Sequence, residues 1–454
     1  MRTAFALYGQ RAGLIERTGG RTTLQYVPEF LNSPLATPLS LSMPLSPVTY
    51  ANRPVESFLK GLLPDNAEVL RRWARKAGVK EGNTLGIIQR FGLDVSGSVI
   101  FAPEDELEDA LMASGSQIPA SDADIAAQLR RMRQDEAAWQ NDDEDEHWSL
   151  AGAQSKFTLA RQNGQWMFAE GTNPSTHVVK PGIGRIRAQA LSEHVTMRAF
   201  ALSGIPVAET QFLRFEDQEA IVVTRFDRRT DAGGNIIRVH QEDLIQAFGL
   251  DPSRKYESDR GPGVDRISTL LRNHAGQDVV EQFGKAVVAN QIVGAPDAHA
   301  KNYSVTLIGS SVGLAPLYDV ATGLIPNSSG RLQFPKGAMS IGGERGFGDV
   351  EASHWEKFAQ ILRTPSSKVF DWVAELSETL PKNFQQAASE IDGPDAEFLA
   401  GTVSELIARV AQQTKDGLAK SRRVGGRLHN PFISLINQQH DANTHTSSDV
   451  SWGA

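Results

Sequence analysis

The chain has no cysteine among its 454 residues. That excludes disulfides, thiolate metal sites and cysteine nucleophiles, and it fits a reducing cytoplasm. No run approaches the ~18 consecutive apolar residues of a membrane span, and Met1 to Leu14 lacks the apolar stretch of a secretion signal. A surplus of positive charge is also missing: 46 Lys and Arg against 54 Asp and Glu leave a net charge of -8, which argues against a globally basic nucleic-acid binder. What is present is 40% hydrophobic residues, enough to bury real cores, in a length that favours two or three domains.

Patterning divides the chain. Leu39, Leu41 and Met43 alternate with Ser40 and Ser42, the period of a half-buried strand, and Pro38, Pro44 and Pro47 confine it to an edge. Asp65 and Asn66 are suited to cap a helix that runs to Ala77 and stops at Gly78, with Val69, Leu70, Trp73 and Ala77 as its buried stripe. The run Asp142 to Glu146 repels itself and reads as a solvated linker rather than an acidic metal site. Strands over 157–161 and 166–168 flank the hairpin signal Asn163-Gly164. The β-branched segment Thr176 to Lys180 ends in a lysine, a helix covers 192–202, and a second hairpin turns at Glu216-Asp217. From Gln241 the pattern is mostly helical, with Val279, Val280, Phe283, Val287 and Val288 on one helix face.

The expected architecture is α+β: a two-lobed, protein-kinase-like fold with an extra small amino-terminal α+β subdomain and a mostly helical carboxy-terminal lobe. The bounds are 1–105 for the subdomain, 106–147 for an acidic connecting segment, 148–230 for the strand-rich lobe, 231–432 for the helical lobe and 433–454 for a disordered tail.

Phosphoryl transfer from ATP needs a loop over the phosphates, a strand lysine, a helix acid to hold that lysine, metal ligands and an aspartate near the attacking hydroxyl. Asp297 and Asn302 carry the D-x-x-x-x-N spacing of a catalytic loop, with Asp319 downstream as a second metal ligand. Lys180 and Glu193 supply the lysine and the acid of its ion pair. Ala151-Gly152-Ala153-Gln154-Ser155-Lys156 is a small-residue loop ahead of the first strand of this lobe, although its one glycine fails both G-x-G-x-x-G and Walker A. Taken singly, each is matched by a bland alternative: a capping aspartate, a surface charge, an ordinary turn.

Together with Arg225-Phe226-Asp227-Arg228, Gln241-Glu242-Asp243, Lys255-Tyr256-Glu257-Ser258, Gly261-Pro262-Gly263, Gly294-Ala295 and Tyr318-Asp319, these motifs resemble the HipA toxin kinases over about Ser149 to Leu428, and the amino-terminal unit resembles the family's own. The resemblance implies Asp297 as catalytic base, Asn302 and Asp319 as Mg2+ ligands, and Lys180 on the ATP phosphates. It implies a nucleotide site lined by Ala151 to Lys156, His299, Lys301 and Tyr318, with Val223, Thr224 and Phe226 as the hinge beside adenine. It further implies Ser149 as an autophosphorylated off-switch, a HipB-like helix-turn-helix antitoxin that carries operator DNA contact mostly indirectly, and an aminoacyl-tRNA synthetase as substrate, with growth arrest and persistence as outcomes. Pro181 to Leu191, with Arg185 and Arg187, resembles the family's mobile activation segment.

Departures are visible. Thr224 stands where glutamate is frequent, leaving backbone groups to meet adenine. Ser155 replaces an acid, and Val320-Ala321 follows Asp319. Lys415, Lys420, Arg422, Arg423 and Arg427 read as a solvated helix face ahead of a DNA-facing patch. Two other readings stay open: an idle co-repressor module, and a kinase for a small molecule.

Overall fold

The computed structural model describes residues 1–113, 115–140 and 148–420. The acidic run 142–146, the tail from 433 and the arginines at 422, 423 and 427 lie outside the described residues.

The amino-terminal unit is a five-stranded antiparallel sheet in the order Tyr50–Ala51, Arg21–Tyr26, Gln10–Thr18, Arg2–Leu7, Ile100–Pro103. Helices Arg53–Gly61, Ala67–Lys76 and Thr84–Phe91 bury Phe58, Val69, Trp73 and Phe91 with it. Asn66 caps the middle helix, accepting the N–H groups of Glu68 and Val69. Asp65 does not cap it. The expected strand over 39–43 is also absent: Ser40 and Met43 form only an isolated bridge. Its alternation has a tertiary cause. Leu39 and Met43 enter the core, while the Ser40 and Ser42 hydroxyls donate to the Gln246 carbonyl at 3.3 and 3.1 Å.

A second, six-stranded antiparallel sheet runs Thr210–Phe215, Gln218–Thr224, His177–Lys180, Phe157–Gln162, Gln165–Ala169, Gln117–Pro119. Its first hairpin turns on Asn163 and Gly164, both at positive φ, as a two-residue primed turn requires. The last strand comes from the segment expected to be a mere connection. Gln117–Pro119 pairs with Met167 to Ala169, and helix Asp122–Gln134 starts with a Ser121/Asp124 capping box. Local charge concealed this, since the acidic run follows these elements rather than containing them.

Both faces of this sheet are covered. Ile221 and Val223 face the carboxy-terminal core, and Ala220 and Val222 face the amino-terminal one. The amino-terminal unit and the sheet therefore share one apolar cluster, which runs across the expected boundary at 105. Trp73 centres it, meeting Phe91, Trp139 and Trp148 at ring separations of 4.9, 6.5 and 5.9 Å.

The carboxy-terminal lobe packs helices Val264–His274, Gln277–Val293, Ala352–Leu362, Ser366–Ser389 and Ser404–Lys420. Phe283, Trp355 and Phe358 are wholly buried there, each contributing about 1.5–3 kcal/mol by area. Helical periodicity identified most of these helices. It missed the short strands His240–Asp243, Ser304–Ile308 and Ser311–Leu314, which form one sheet, and the pair Lys336–Ile341 and Glu344–Gly346.

Glu242 clasps the amino-terminal unit, its Oε1 accepting the Leu41 N–H at 2.7 Å. Burial pushes its carboxyl up to about 8 from an ordinary 4.5, against the pull of that N–H. Stability from the neutral form is thus fully present below the ordinary value and lost as pH rises through the folded one. Thermal unfolding of the wild type is expected to shift downward between about pH 4.5 and about pH 8, and Glu242→Gln to flatten that slope. Parallel pH curves for the two proteins would exclude Glu242 as its source.

Candidate active site

A pocket opens between the sheet of the second unit and the helical lobe. It gathers Ala151 to Gln154, Lys156, Lys180, Glu193, Val223, Thr224, Phe226, Asp297, His299, Lys301, Asn302, Tyr318 and Asp319. Ser149 and Ser155 are not among its lining residues.

Lys180 ends strand His177–Lys180, and Glu193 stands one turn into helix Gln189–Leu202. Their side chains, both almost wholly buried, pair at 2.8 Å. The Lys180 ammonium also contacts Asp319 Oδ1. Asp319 holds a left-handed backbone, φ 57°, a strained setting for a non-glycine residue.

The segment after strand Gln218–Thr224 is anchored by buried charge. Arg225 forks onto both Asp227 oxygens at 3.0 and 2.9 Å, and Arg228 donates to Asp94 Oδ1 at 2.8 Å. Asp94 also accepts the Ser175 N–H and hydroxyl, and Asp227 accepts the Gly97 N–H. Burial would raise the Asp94 carboxyl, but Arg225, Arg228 and Arg238 hold it far below the carboxylate range. The backbone of this segment narrows which groups at Thr224 are left for a base. The Thr224 N–H already donates to Glu209 O at 2.8 Å and that of Arg225 to Thr176 O at 2.9 Å, so neither amide hydrogen is free for a base. Phe226 and Tyr318 stack nearby at 5.5 Å, an apolar platform.

The residues expected to form the catalytic loop follow helix Gln277–Val293. Gly294 closes it in a left-handed conformation, with a Cβ there falling 2.5 Å from Leu324 Cγ, so glycine is required. The Asp297 carbonyl then accepts the His299 N–H and the Asn302 side-chain amide, both at 2.8 Å, so this loop is self-braced. Asp297 Oδ1 takes the Tyr256 hydroxyl at 2.6 Å. Burial lifts the Asp297 carboxyl to about 7 despite Tyr256 and Lys255, which oppose the rise. His299 meets Tyr256 edge-on at 4.8 Å; both of its ring nitrogens are buried without a hydrogen bond, Nε2 lying 3.6 Å from Asp297 Oδ1. Burial also drives this imidazole well below its usual value, so it is neutral.

The small-residue loop is cradled by the amino-terminal unit. Ser149 is wholly buried, its hydroxyl donating to Leu62 O at 2.7 Å and its N–H to Asp94 O at 3.1 Å. Gly152, at φ +106°, lets Lys156 Nζ reach Ala151 O at 2.7 Å; a Cβ there would sit 2.5 Å from that nitrogen. Burial, with Lys180 next, pushes the Lys156 ammonium down to about 7. Ser155 turns away, its hydroxyl donating to Glu136 O. Gln154 and Ile183 both hydrogen-bond Gln189, and Arg187 of the neighbouring segment pairs with Asp395 and lies over Phe398.

Patterning missed Asp65, Lys255, Tyr256 and Asp243 as site residues. The last three stood within motifs but carried no assigned chemistry, because their role depends on distant partners.

Among the described residues no three His, Cys, Asp or Glu side chains converge as a metal nest. Mg2+ in phosphoryl transfer needs only one or two protein oxygens beside phosphate and water. Asn302 donates through Nδ2 to the Asp297 carbonyl, which leaves Oδ1 for a cation, and the half-buried Asp319 carboxylate lines a small second cavity with Asn302 and Asp297. The donor set fits such an ion.

Two lobes joined at a braced strand, with a lysine–glutamate pair above and an aspartate–asparagine loop below, define a protein-kinase-like fold. The family models agree: the HipA-like C-terminal domain matches residues 148–384 and the HipA N-terminal domain residues 4–102. The chain belongs to the HipA family. Similar relatives include the provisionally named kinase Y4mE of Sinorhizobium fredii, 30% identical over 405 residues that cover 88% of this chain and 89% of that one. The serine/threonine-protein kinase toxin HipA of Shewanella oneidensis is 28% identical over 395 residues, 82% of this chain and 86% of that one. The solved complex of Shewanella oneidensis HipA with HipB and its operator DNA shares the fold, with a TM-score of 0.79 at 23% identity over 93% of this chain and 100% of that chain.

Glu193→Gln would leave the buried Lys180 with Asp319 as its one anionic partner. We expect a loss of about 1–3 kcal/mol in urea unfolding. Unchanged stability would mean that the pair contributes nothing to the fold.

Proposed function

We propose that the protein is an ATP- and Mg2+-dependent serine/threonine protein kinase, the toxin half of a toxin–antitoxin pair. The observation that carries this reading is the convergence of Lys180, Glu193, Asp319, Asp297 and Asn302 on one pocket beneath the Ala151 to Lys156 loop.

Lys180, held by Glu193, pairs with the phosphates of ATP. The loop covers them, and Phe226 and Tyr318 bound the base. Asp297, with a carboxyl lifted to about 7, accepts the proton of a serine or threonine hydroxyl. The hydroxyl oxygen bonds to the γ-phosphorus as the β–γ bridging P–O bond breaks, and ADP departs with that electron pair. Mg2+ held by Asn302 and Asp319 would neutralise phosphate charge.

The family resemblance supports a translation factor as acceptor, with an aminoacyl-tRNA synthetase as the leading choice and growth arrest and persistence as outcomes. The relative solved with HipB and operator DNA supports a HipB-like helix-turn-helix antitoxin as partner, with DNA contact mainly through that antitoxin. A cytoplasmic site of action follows from these partners.

Ser149 is the proposed autophosphorylation site and off-switch. Its buried hydroxyl, bonded to Leu62 O, has no room for a phosphate while the loop is seated. Phosphate there adds nearly two charges and would keep the loop out.

Asp297→Ala should lower transfer from labelled ATP about 10²- to 10⁴-fold. It should also abolish growth arrest on induction while leaving antitoxin binding intact. Arrest that persists with a folded Asp297→Ala protein would defeat this mechanism. Mass spectrometry of active protein made without antitoxin should show phosphate on Ser149. An active preparation lacking it would remove the switch.

A further inference from the structure

We infer that the amino-terminal unit completes the catalytic site: the Asp65 carboxylate positions Lys301 and Lys255 beside Asp297, aiming them at the phosphoryl group in flight. The inference rests on the kinase reading above and gives the amino-terminal unit a part in the chemistry.

Asp65 sits on the turn before helix Ala67–Lys76, where Asn66 already satisfies the helix end. Its carboxylate is therefore not needed there, and it lines the pocket instead. One oxygen contacts Lys301 Nζ and the other lies 3.6 Å from Lys255 Nζ. Its backbone N–H donates to Gly152 O at 2.8 Å, and Pro64 forms a parallel bridge with Gly152. A single turn thus fixes the phosphate loop by its backbone and two lysines by its side chain.

Those lysines flank Asp297. Lys301 lies in the short 3-10 turn Ala300–Asn302 and directly precedes the metal-ligating Asn302. Lys255 precedes Tyr256, whose hydroxyl donates to Asp297, and its carbonyl accepts the Ala300 N–H. Burial would raise the Asp65 carboxyl, but Lys301 and Lys255 overcome it and hold the group ionised. The pocket also contains Lys156 and Lys180. Four lysines without Asp65 would attract polyphosphate strongly but hold it loosely oriented. The carboxylate trades some of that attraction for geometry.

Asp65→Asn should therefore separate binding from turnover. In titrations with Mg·ATP and in steady-state assays on the full chain, kcat should fall on the order of 10- to 100-fold. ATP affinity should be equal to or tighter than wild type. Asn66→Ala is the control: it removes the helix cap, not the charge, and should lose stability at full kcat. An unchanged kcat in Asp65→Asn overturns the inference, as does a joint loss of affinity, kcat and thermal stability, which marks a purely structural clasp. Should Asp65→Asn fail to fold, Asp65→Glu carries the test: the charge displaced by one methylene should lower kcat with affinity intact, and a wild-type kcat overturns the proposal. Wild-type protein that transfers no phosphoryl group sinks the kinase reading itself, whereas an active wild type with an equally active Asp65→Asn sinks this inference alone.

Discussion

The structure depends on a fully buried ionic knot in which Asp94 meets Arg225, Arg228 and Ser175, while Asp227 meets Arg225 and Gly97. Ions withdrawn from water persist only when paired and hydrogen-bonded, and removing one partner of such a pair costs about 3–5 kcal/mol. The knot therefore has little freedom. It binds the amino-terminal unit, which contributes Asp94, to the strand end that borders the pocket. The backbone of the same Asp94 holds Ser149, so one residue sets both the braced segment and the root of the small-residue loop.

That arrangement explains why the site residues differ in how readable they are. Asp297 and Asn302 are close in sequence, and their geometry comes from hydrogen bonds inside the segment, so spacing alone exposes them. Lys180 and Glu193 are readable for a similar reason: a strand end and the first turns of the next helix fall together. Asp65 is different. Its partner Lys301 is 236 residues away, and beside a helix start a carboxylate looks like a cap. Only the packed structure shows that Asn66 takes the cap and frees Asp65.

The fold was legible to the same degree. Helices with one apolar face announced themselves, and the Asn163-Gly164 hairpin followed from turn chemistry. The Leu39 to Met43 segment misled because hydroxyls bonding to Gln246 across the molecule imitate strand alternation. The segment over 106–147 misled in the opposite sense: its strand Gln117–Pro119 has just three residues, too short for periodicity to register, and the acidic run beyond helix Asp122–Gln134 masked the helix. The segment Val223 to Phe226 was placed at the pocket by resemblance, but its backbone pairing was not legible. Which amides remain free at Thr224 and Arg225 depends on Glu209 and Thr176, and no local pattern specifies them.

The apolar cluster that joins the first hundred residues to strands Phe157–Gln162, His177–Lys180 and Gln218–Thr224 bears on how the protein is born. As the chain leaves the ribosome, the earliest sheet and helices emerge without the residues that cover them. At about 5–20 residues per second, the wait for the last covering strand is on the order of ten seconds. During that interval Trp73 and its neighbours are a sticky surface that a chaperone would recognise. The pocket itself cannot close until Asp297 and Asp319 have followed. Any chain interrupted before then lacks two of the side chains that line the pocket, however complete its amino-terminal core.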